Sequence, residues 1–251
     1  MRKAIATAIV VGTTLLLPAG AGAIIGGGPD GNGHPEVGAL LATEAYSDGT
    51  WAACTGTLIA PRVFLTAAHC DLGESRVAVT FDSSYVVGDV TYLGTWHPHL
   101  DYRPAQSDPH DIAVVVLDEA VAGVPPALLP AAGSLDDLAL WTEFTAVGYG
   151  AQSVTTGQVF HYADIRYVAT GRLRATNASW LRLSMVAALG DGGTCFGDSG
   201  GPNFLGAGAT ETNILAATTI TGDLACRATN VDYRLDTESA RAFLGQYVTL
   251  P

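Results

Sequence analysis

Short apolar, β-branched runs separated by clusters of Gly, Pro, Asp and Asn dominate this chain. The clearest are Ala39-Leu40-Leu41, Thr57-Leu58-Ile59, Val77-Ala78-Val79-Thr80-Phe81 and Ile112-Ala113-Val114-Val115-Val116-Leu117. Runs this short, bounded by turn formers, suit strands better than helices and predict an all-β barrel or sandwich. No fixed-period repeat organises them. Apolar residues make up 48% of the 251 and charged residues only 14%, so the chain can bury a sizeable core and is not disordered. The stretch from Asp118 to Asp137, with Pro125, Pro126 and Pro130, reads as a connection between two halves. Near the end the pattern changes. Asp236 or Thr237 can cap a helix, and Ala240, Phe243, Leu244 and Val248 then fall on roughly one face. A C-terminal helix of about three turns is expected there.

Arg2 and Lys3 precede an apolar run from Ala4 to Leu17, and Ala21-Gly22-Ala23 has the small-x-small form of a signal-peptidase site. Residues 1–23 are therefore read as a signal peptide and residues 24–251 as a domain secreted to the extracellular space. The run is shorter than the ~20 apolar residues a spanning helix needs, so no membrane anchor is expected after signal removal. Cys54, Cys70, Cys195 and Cys226 are an even number in an exported chain, which predicts two disulfides with three pairings open. No C-x-x-C pair or His/Cys cluster supports a metal. A net charge of −12 argues against nucleic acid, whose binding draws on Lys and Arg to neutralise phosphates.

The segment Cys195-Phe196-Gly197-Asp198-Ser199-Gly200-Gly201-Pro202 is the sharpest chemical feature. Glycines beside a serine permit a tight turn and close substrate approach. Gly197-x-Ser199-x-Gly201 also fits the nucleophile elbow of α/β-hydrolases, but that order requires an acid and then a His after the Ser. No His follows Ser199; the last is His161. The base must lie upstream. His69, in Leu65-Thr66-Ala67-Ala68-His69-Cys70, and Asp111, at the start of a strand, are the candidates, in the order His, Asp, Ser.

Thr66-Ala67-Ala68-His69-Cys70, Asp111-Ile112-Ala113 and Gly197-Asp198-Ser199-Gly200-Gly201-Pro202 together resemble the trypsin/chymotrypsin-type serine proteases. Ile24-Ile25-Gly26-Gly27 resembles their activated N-terminus, Cys54 to Ile59 a strand opposite the catalytic His, and Gly148-Tyr149-Gly150 their G-W-G. The resemblance implies two packed six-stranded antiparallel β-barrels, an N-terminal one over 24–130 and a C-terminal one over 131–251 that carries the terminal helix. It implies the pairings Cys54–Cys70 and Cys195–Cys226. The activity it implies is peptide-bond hydrolysis through an acyl-enzyme, by a monomer acting on protein or peptide substrates, with protease inhibitors as further partners and no cofactor.

By the same resemblance Ser199 attacks, His69 is the base, Asp111 orients it, and the amides of Gly197 and Ser199 bind the oxyanion. The resemblance also pairs Asp198 with a free amine at Ile24; unlike the family's usual zymogens, a signal cut before Ile24 would expose that amine with no propeptide, whereas a cut after Ala21 would leave Gly22-Ala23 to be trimmed. Family members that cleave after Arg or Lys carry Asp where this chain has Gly193. With Gly193, Thr194, Phe196, Gly222 and Val231 around the pocket, an uncharged P1 residue is expected, because a pocket without a charge offers a cation no partner. Asp223 restores a basic preference only if the register slips. Just before Gly222 stands Ile220-Thr221 where the family has Ser-Trp, and Thr219 meets the catalytic Asp only after a one-residue shift. The alternative function is a catalytically silent or narrow-specificity binding protein on the same fold. His97 and His99 are read as a solvated loop pair, and Trp51, Trp96, Trp141 and Trp180 as packing residues.

Overall fold

In the computed structural model, residues 24–155 and 157–251 are described; the expected signal peptide lies outside them. The first barrel is built from β2 (Val37–Leu41), β3 (Ala52–Ala60), β4 (Val63–Thr66), β5 (Arg76–Thr80), β6 (Tyr92–Pro98) and β7 (Ala113–Leu117), closed in the order β2-β3-β4-β7-β6-β5. The second runs β11-β12-β15-β14-β13-β8. Its strands are β8 (Glu143–Gly148), β11 (Tyr167–Thr176), β12 (Trp180–Ser184), β13 (Pro202–Leu205), β14 (Leu215–Gly222) and β15 (Thr229–Arg234), and β8 pairing with β11 closes it. The short β1 (Gly28–Pro29) lies before the first barrel in sequence but adds to β11 of the second. A small hairpin, β9 (Ser153–Val154) with β10 (Phe160–His161), stands apart. All ladders are antiparallel, so the two-barrel architecture expected from the sequence is the one observed.

Period-two alternation explains how both faces of these strands are used. On β7, Val115 and Leu117 enter the first barrel with Leu40, Leu58, Phe64 and Val79. Val114 points the other way, with Leu65 and Val37, against Val147, Tyr149, Phe204 and Tyr233 of the second barrel. The second barrel fills with Phe144, Leu173, Leu181, Leu183 and Ala217. The apolar layer between the barrels fixes their mutual position, and residues at its edge from either side share one cleft.

The C-terminal helix α1 (Glu238–Leu244) has seven residues, shorter than the three turns expected. Thr237 caps it by accepting the Ala240 amide, and Gly245 ends it. Val248 still packs on the interbarrel core, but from a turn in which its amide bonds Leu244. Gly245 keeps right-handed helical dihedrals and still donates to the Arg241 carbonyl, and the chain beyond it goes on in turns and not as a regular helix.

Candidate active site

His69 sits in a single 3-10 turn, Ala68–Cys70, directly after β4, and the Cys54–Cys70 disulfide ties this turn to β3. Asp111 immediately precedes the segment leading into β7. His110 before it adopts φ +50°, and the Ile112 amide bonds the His110 carbonyl, making a tight turn at the barrel edge. The buried Asp111 carboxylate then takes two contacts from one residue. Its Oδ1 accepts the His69 backbone amide at 2.9 Å and its Oδ2 lies 2.8 Å from His69 Nδ1. A carboxylate accepts only, so Nδ1 carries the proton and Nε2 is left as the basic nitrogen.

Ser199 comes from the other barrel, in the loop between the Cys195–Cys226 disulfide and β13. Consecutive turns shape it: the Asp198 amide bonds the Cys195 carbonyl and the Gly201 amide bonds the Asp198 carbonyl. Thr55 of β3 holds two of its carbonyls, Ser199 through its amide at 2.9 Å and Gly197 through its hydroxyl at 3.0 Å. Among the described residues the amides of Gly197 and Ser199 donate to no protein group, and these are the two expected to bind an oxyanion. Gly197 is at φ +94°, and a Cβ there would fall 2.8 Å from the Gly150 Cα, so only glycine fits.

His69 and Ser199 line the same cavity of about 360 Å³. No direct hydrogen bond joins them among the described residues, as is common without substrate. Thr194, Phe196, Gly222 and Asp223 line this cavity. The Asp223 carboxylate caps its own turn, accepting the amides of Arg227, Ala228 and Thr229. Burial alone would raise its pKa, but these amides outweigh burial and lower it. Gly193 stands behind the wall, where a Cβ would meet Met185 Cβ at 2.8 Å. Val231, expected in this pocket, instead lines a neighbouring cavity of about 270 Å³ with His69, Asp111, Tyr102 and Trp180.

Side chains alternate along β15, so Val231 points away from Asn230 and Asp232, while β14 carries an irregularity of its own. Thr219 pairs with Asp232 and Thr221 with Val231, so Ile220 is a bulge. Asn230, not singled out in the sequence, supplies the inward side chain and accepts the Thr194 hydroxyl at 2.5 Å. Thr219 sends its hydroxyl to Asp232, at 3.1 Å, and not to Asp111. Trp180 lines the cavity beside His69, a position no local signal on β12 reveals. His97 and His99 are not a solvated pair: His97 packs on Tyr247, and His99 stacks on His110 and packs at a tilt against Phe243. A larger cavity of about 620 Å³, lined by Leu128, Leu135, Ile214 and Val248, contains no acid or base side chain and none of these groups.

Asp198 is fully buried. Its Oδ1 accepts the Gly150 amide and its Oδ2 the Cys195 amide, each at 2.8 Å. A Cβ on Gly148 would lie 2.1 Å from Oδ1, and one on Gly150 2.5 Å from Oδ2, so the Gly-Tyr-Gly segment makes the room for this carboxyl. Burial pushes it up to about 7 against those two hydrogen bonds. Ile24 is also fully buried, beside Ala146 and Ala169, and the Gly193 amide bonds the Ile25 carbonyl at 2.9 Å.

The trypsin family model matches residues 29–241. A trypsin of Saccharopolyspora erythraea is 31% identical over 190 residues, covering 70% of this chain and 79% of that protein. Brachyurin of Leptuca pugilator is 29% identical over 218 residues, covering 82% and 92%. Human kallikrein-2 is 28% identical over 191 residues, covering 62% and 67%. The matched span takes in both barrels and every group that faces the shared cleft, and this chain belongs to the trypsin family of serine proteases.

Proposed function

We propose that this chain is a secreted serine endopeptidase that hydrolyses peptide bonds through an acyl-enzyme, with His69, Asp111 and Ser199 as its triad. The observation that carries this is the Asp111 carboxylate gripping both the amide and Nδ1 of His69 on the wall of the cavity that holds Ser199. Ser199 Oγ attacks the scissile carbonyl as Nε2 of His69 takes its proton. Asp111 steadies the imidazolium, which later protonates the leaving amine. The free amides of Gly197 and Ser199 receive the oxyanion; one such donor is worth roughly 10²–10³ in rate. The cavity beside Ser199 offers Thr194, Thr219, Thr221 and Phe196, and its one carboxylate, Asp223, is engaged by amides. This supports an uncharged P1 residue.

Asp198 lacks a cation among the described residues. A free Ile24 amine would supply one. With that amine blocked, the carboxyl's raised pKa makes its contribution to stability complete at low pH and lost as pH rises through about 7. With the amine free, the pair stays charged until the amine deprotonates. Export with cleavage before Ile24 would then release an enzyme that needs no further trimming.

The test is cleavage of a peptide library by the secreted protein, beside Ser199→Ala, read by mass spectrometry. Cleavage that the variant loses, after uncharged residues, is the expected result. No cleavage by a folded chain starting at Ile24 would refute the endopeptidase and favour a binding protein on this fold.

A further inference from the structure

The triad chemistry uses the solvent face of the Ser199 loop; behind it lies a polar cluster with no counterpart in that scheme. β13, β14 and β15 send Asn203, Thr219, Asn230 and Asp232 into the second barrel, all of them buried. Asp232 Oδ1 accepts Asn203 Nδ2 at 2.7 Å and the Thr219 hydroxyl at 3.1 Å. Asn203 Nδ2 also reaches the Thr219 hydroxyl, at 3.1 Å. Asn230 donates to Asn203 Oδ1 at 3.4 Å and accepts from Thr194, which lines the cavity beside Ser199.

Thr219 is where this cluster meets the nucleophile. Its carbonyl accepts the Gly200 amide at 2.7 Å and its amide donates to the Gly201 carbonyl at 2.9 Å. Those are the two residues after Ser199. Thr219 is also the last residue before the bulge, where the ladder to β15 loses its regular spacing. Strand pairing alone therefore holds Thr219 less firmly than elsewhere on β14, and the side-chain bonds to Asp232 and Asn203 complete the anchorage.

We propose that Asp232 is a positioning residue, which by gripping Thr219 and Asn203 holds the Ser199–Gly201 backbone and the Thr194 side of the cavity in working geometry. This rests on Ser199 being the nucleophile. The carboxyl does this as a neutral acid. Its Oδ2 is buried without a partner among the described residues, and an ionised oxygen left bare in a dry core is expensive. Burial pushes Asp232 up to about 8, against hydrogen bonds from Thr219 and Asn203. No charged side chain contributes: β13, β14 and β15 present Asn203, Thr219 and Asn230, and from β12 its register partner is Leu181. As pH rises through that value the carboxyl ionises, and its charge works against the packing that holds Thr219.

The test compares wild type, Asp232→Asn and Asp232→Val as mature full-length proteins. The readouts are kcat and KM between pH 6 and 10, thermal midpoints, and Ser199 labelling by a fluorophosphonate. Asparagine reproduces the neutral acid, so D232N should keep kcat at pH 7 within about twofold and extend activity to higher pH. D232V, which cannot hold Thr219, should lose about tenfold or more in kcat with little change in KM and slower labelling. Alkaline limbs that superimpose for wild type and D232N would overturn the proposal, and this comparison decides alone if D232V does not fold. A folded D232V with wild-type kcat would overturn it equally. A wild type that neither cleaves nor labels sinks the nucleophile assignment, and the proposal with it; a labelled wild type beside unchanged variants sinks the proposal alone.

Discussion

His34 should be doubly protonated in the folded protein, and replacing it should cost stability that depends on pH. Its Nδ1 lies 2.5 Å from Asp30 Oδ1 and its Nε2 2.7 Å from Glu211 Oε1. Both partners are acceptors, and a neutral imidazole has one donor, so only the imidazolium satisfies both. Burial alone would lower its pKa; the hydrogen bonds to Asp30 and Glu211 overcome that and raise it above 6.5. Asp30 also takes Arg166 Nε at 2.8 Å on Oδ2, so Glu211, His34, Asp30 and Arg166 form a charge-neutral chain. The His34 side chain is 12% exposed, so screening is limited. Removing one partner of such a buried pair costs about 3–5 kcal/mol. At roughly 2–4 °C per kcal/mol for a chain of this size, His34→Leu should lower the midpoint by about 10 °C. The sign of the pH effect follows from the raised pKa. The stabilisation is full below the unfolded value and lost as pH rises through the folded one. Thermal melts of His34→Leu and its parent, both carrying Ser199→Ala to prevent self-digestion, should differ most near pH 6 and converge at alkaline pH. A difference that stays constant or widens with rising pH would refute the imidazolium.

Gly193→Asp should not confer cleavage after Arg, because its Cβ would lie 2.8 Å from Met185 Cβ. Peptide-library profiling of that variant, with and without Met185→Ala, checks this, and Arg cleavage by the single variant would contradict the packing argument. Gly150→Ala drives a methyl to within 2.6 Å of the Asp198 amide as well as its carboxyl, so kcat should fall by about tenfold or more from oxyanion-site displacement. Kinetics on the folded variant measure it.

The candidate site was named from the chain through three motifs in family order, not through any one residue by itself. Ser199, His69 and Asp111 are each embedded in local sequence that a turn, a disulfide or a strand start requires. The all-β class was legible from short β-branched runs between turn residues, but those runs fit a barrel or a sandwich alike, and the two-barrel arrangement followed only from the family resemblance. Contacts made across the chain were not legible. His34 and Glu211 are separated by 177 positions, and nothing near either forecasts the other. The specificity wall failed more instructively. Along Thr229-Asn230-Val231-Asp232-Tyr233-Arg234, simple alternation puts Val and Tyr inside and the polar residues in water. In the fold all but Thr229 are buried, because β15 has the barrel interior on one side and the other barrel or the cleft on the other. Interior space therefore goes to Asn230 and Asp232, while Val231 turns toward Trp180 and Tyr102. Counting back from Cys226 missed Thr219 for a related reason: a bulge at Ile220 consumes one residue that counting cannot see. On the near side of that bulge the ladder is regular, and Thr219 with Asp232 closes it at the point where the backbone turns toward Ser199. The irregularity that defeats sequence register thus begins where a buried acid grips the strand behind the Ser199 loop.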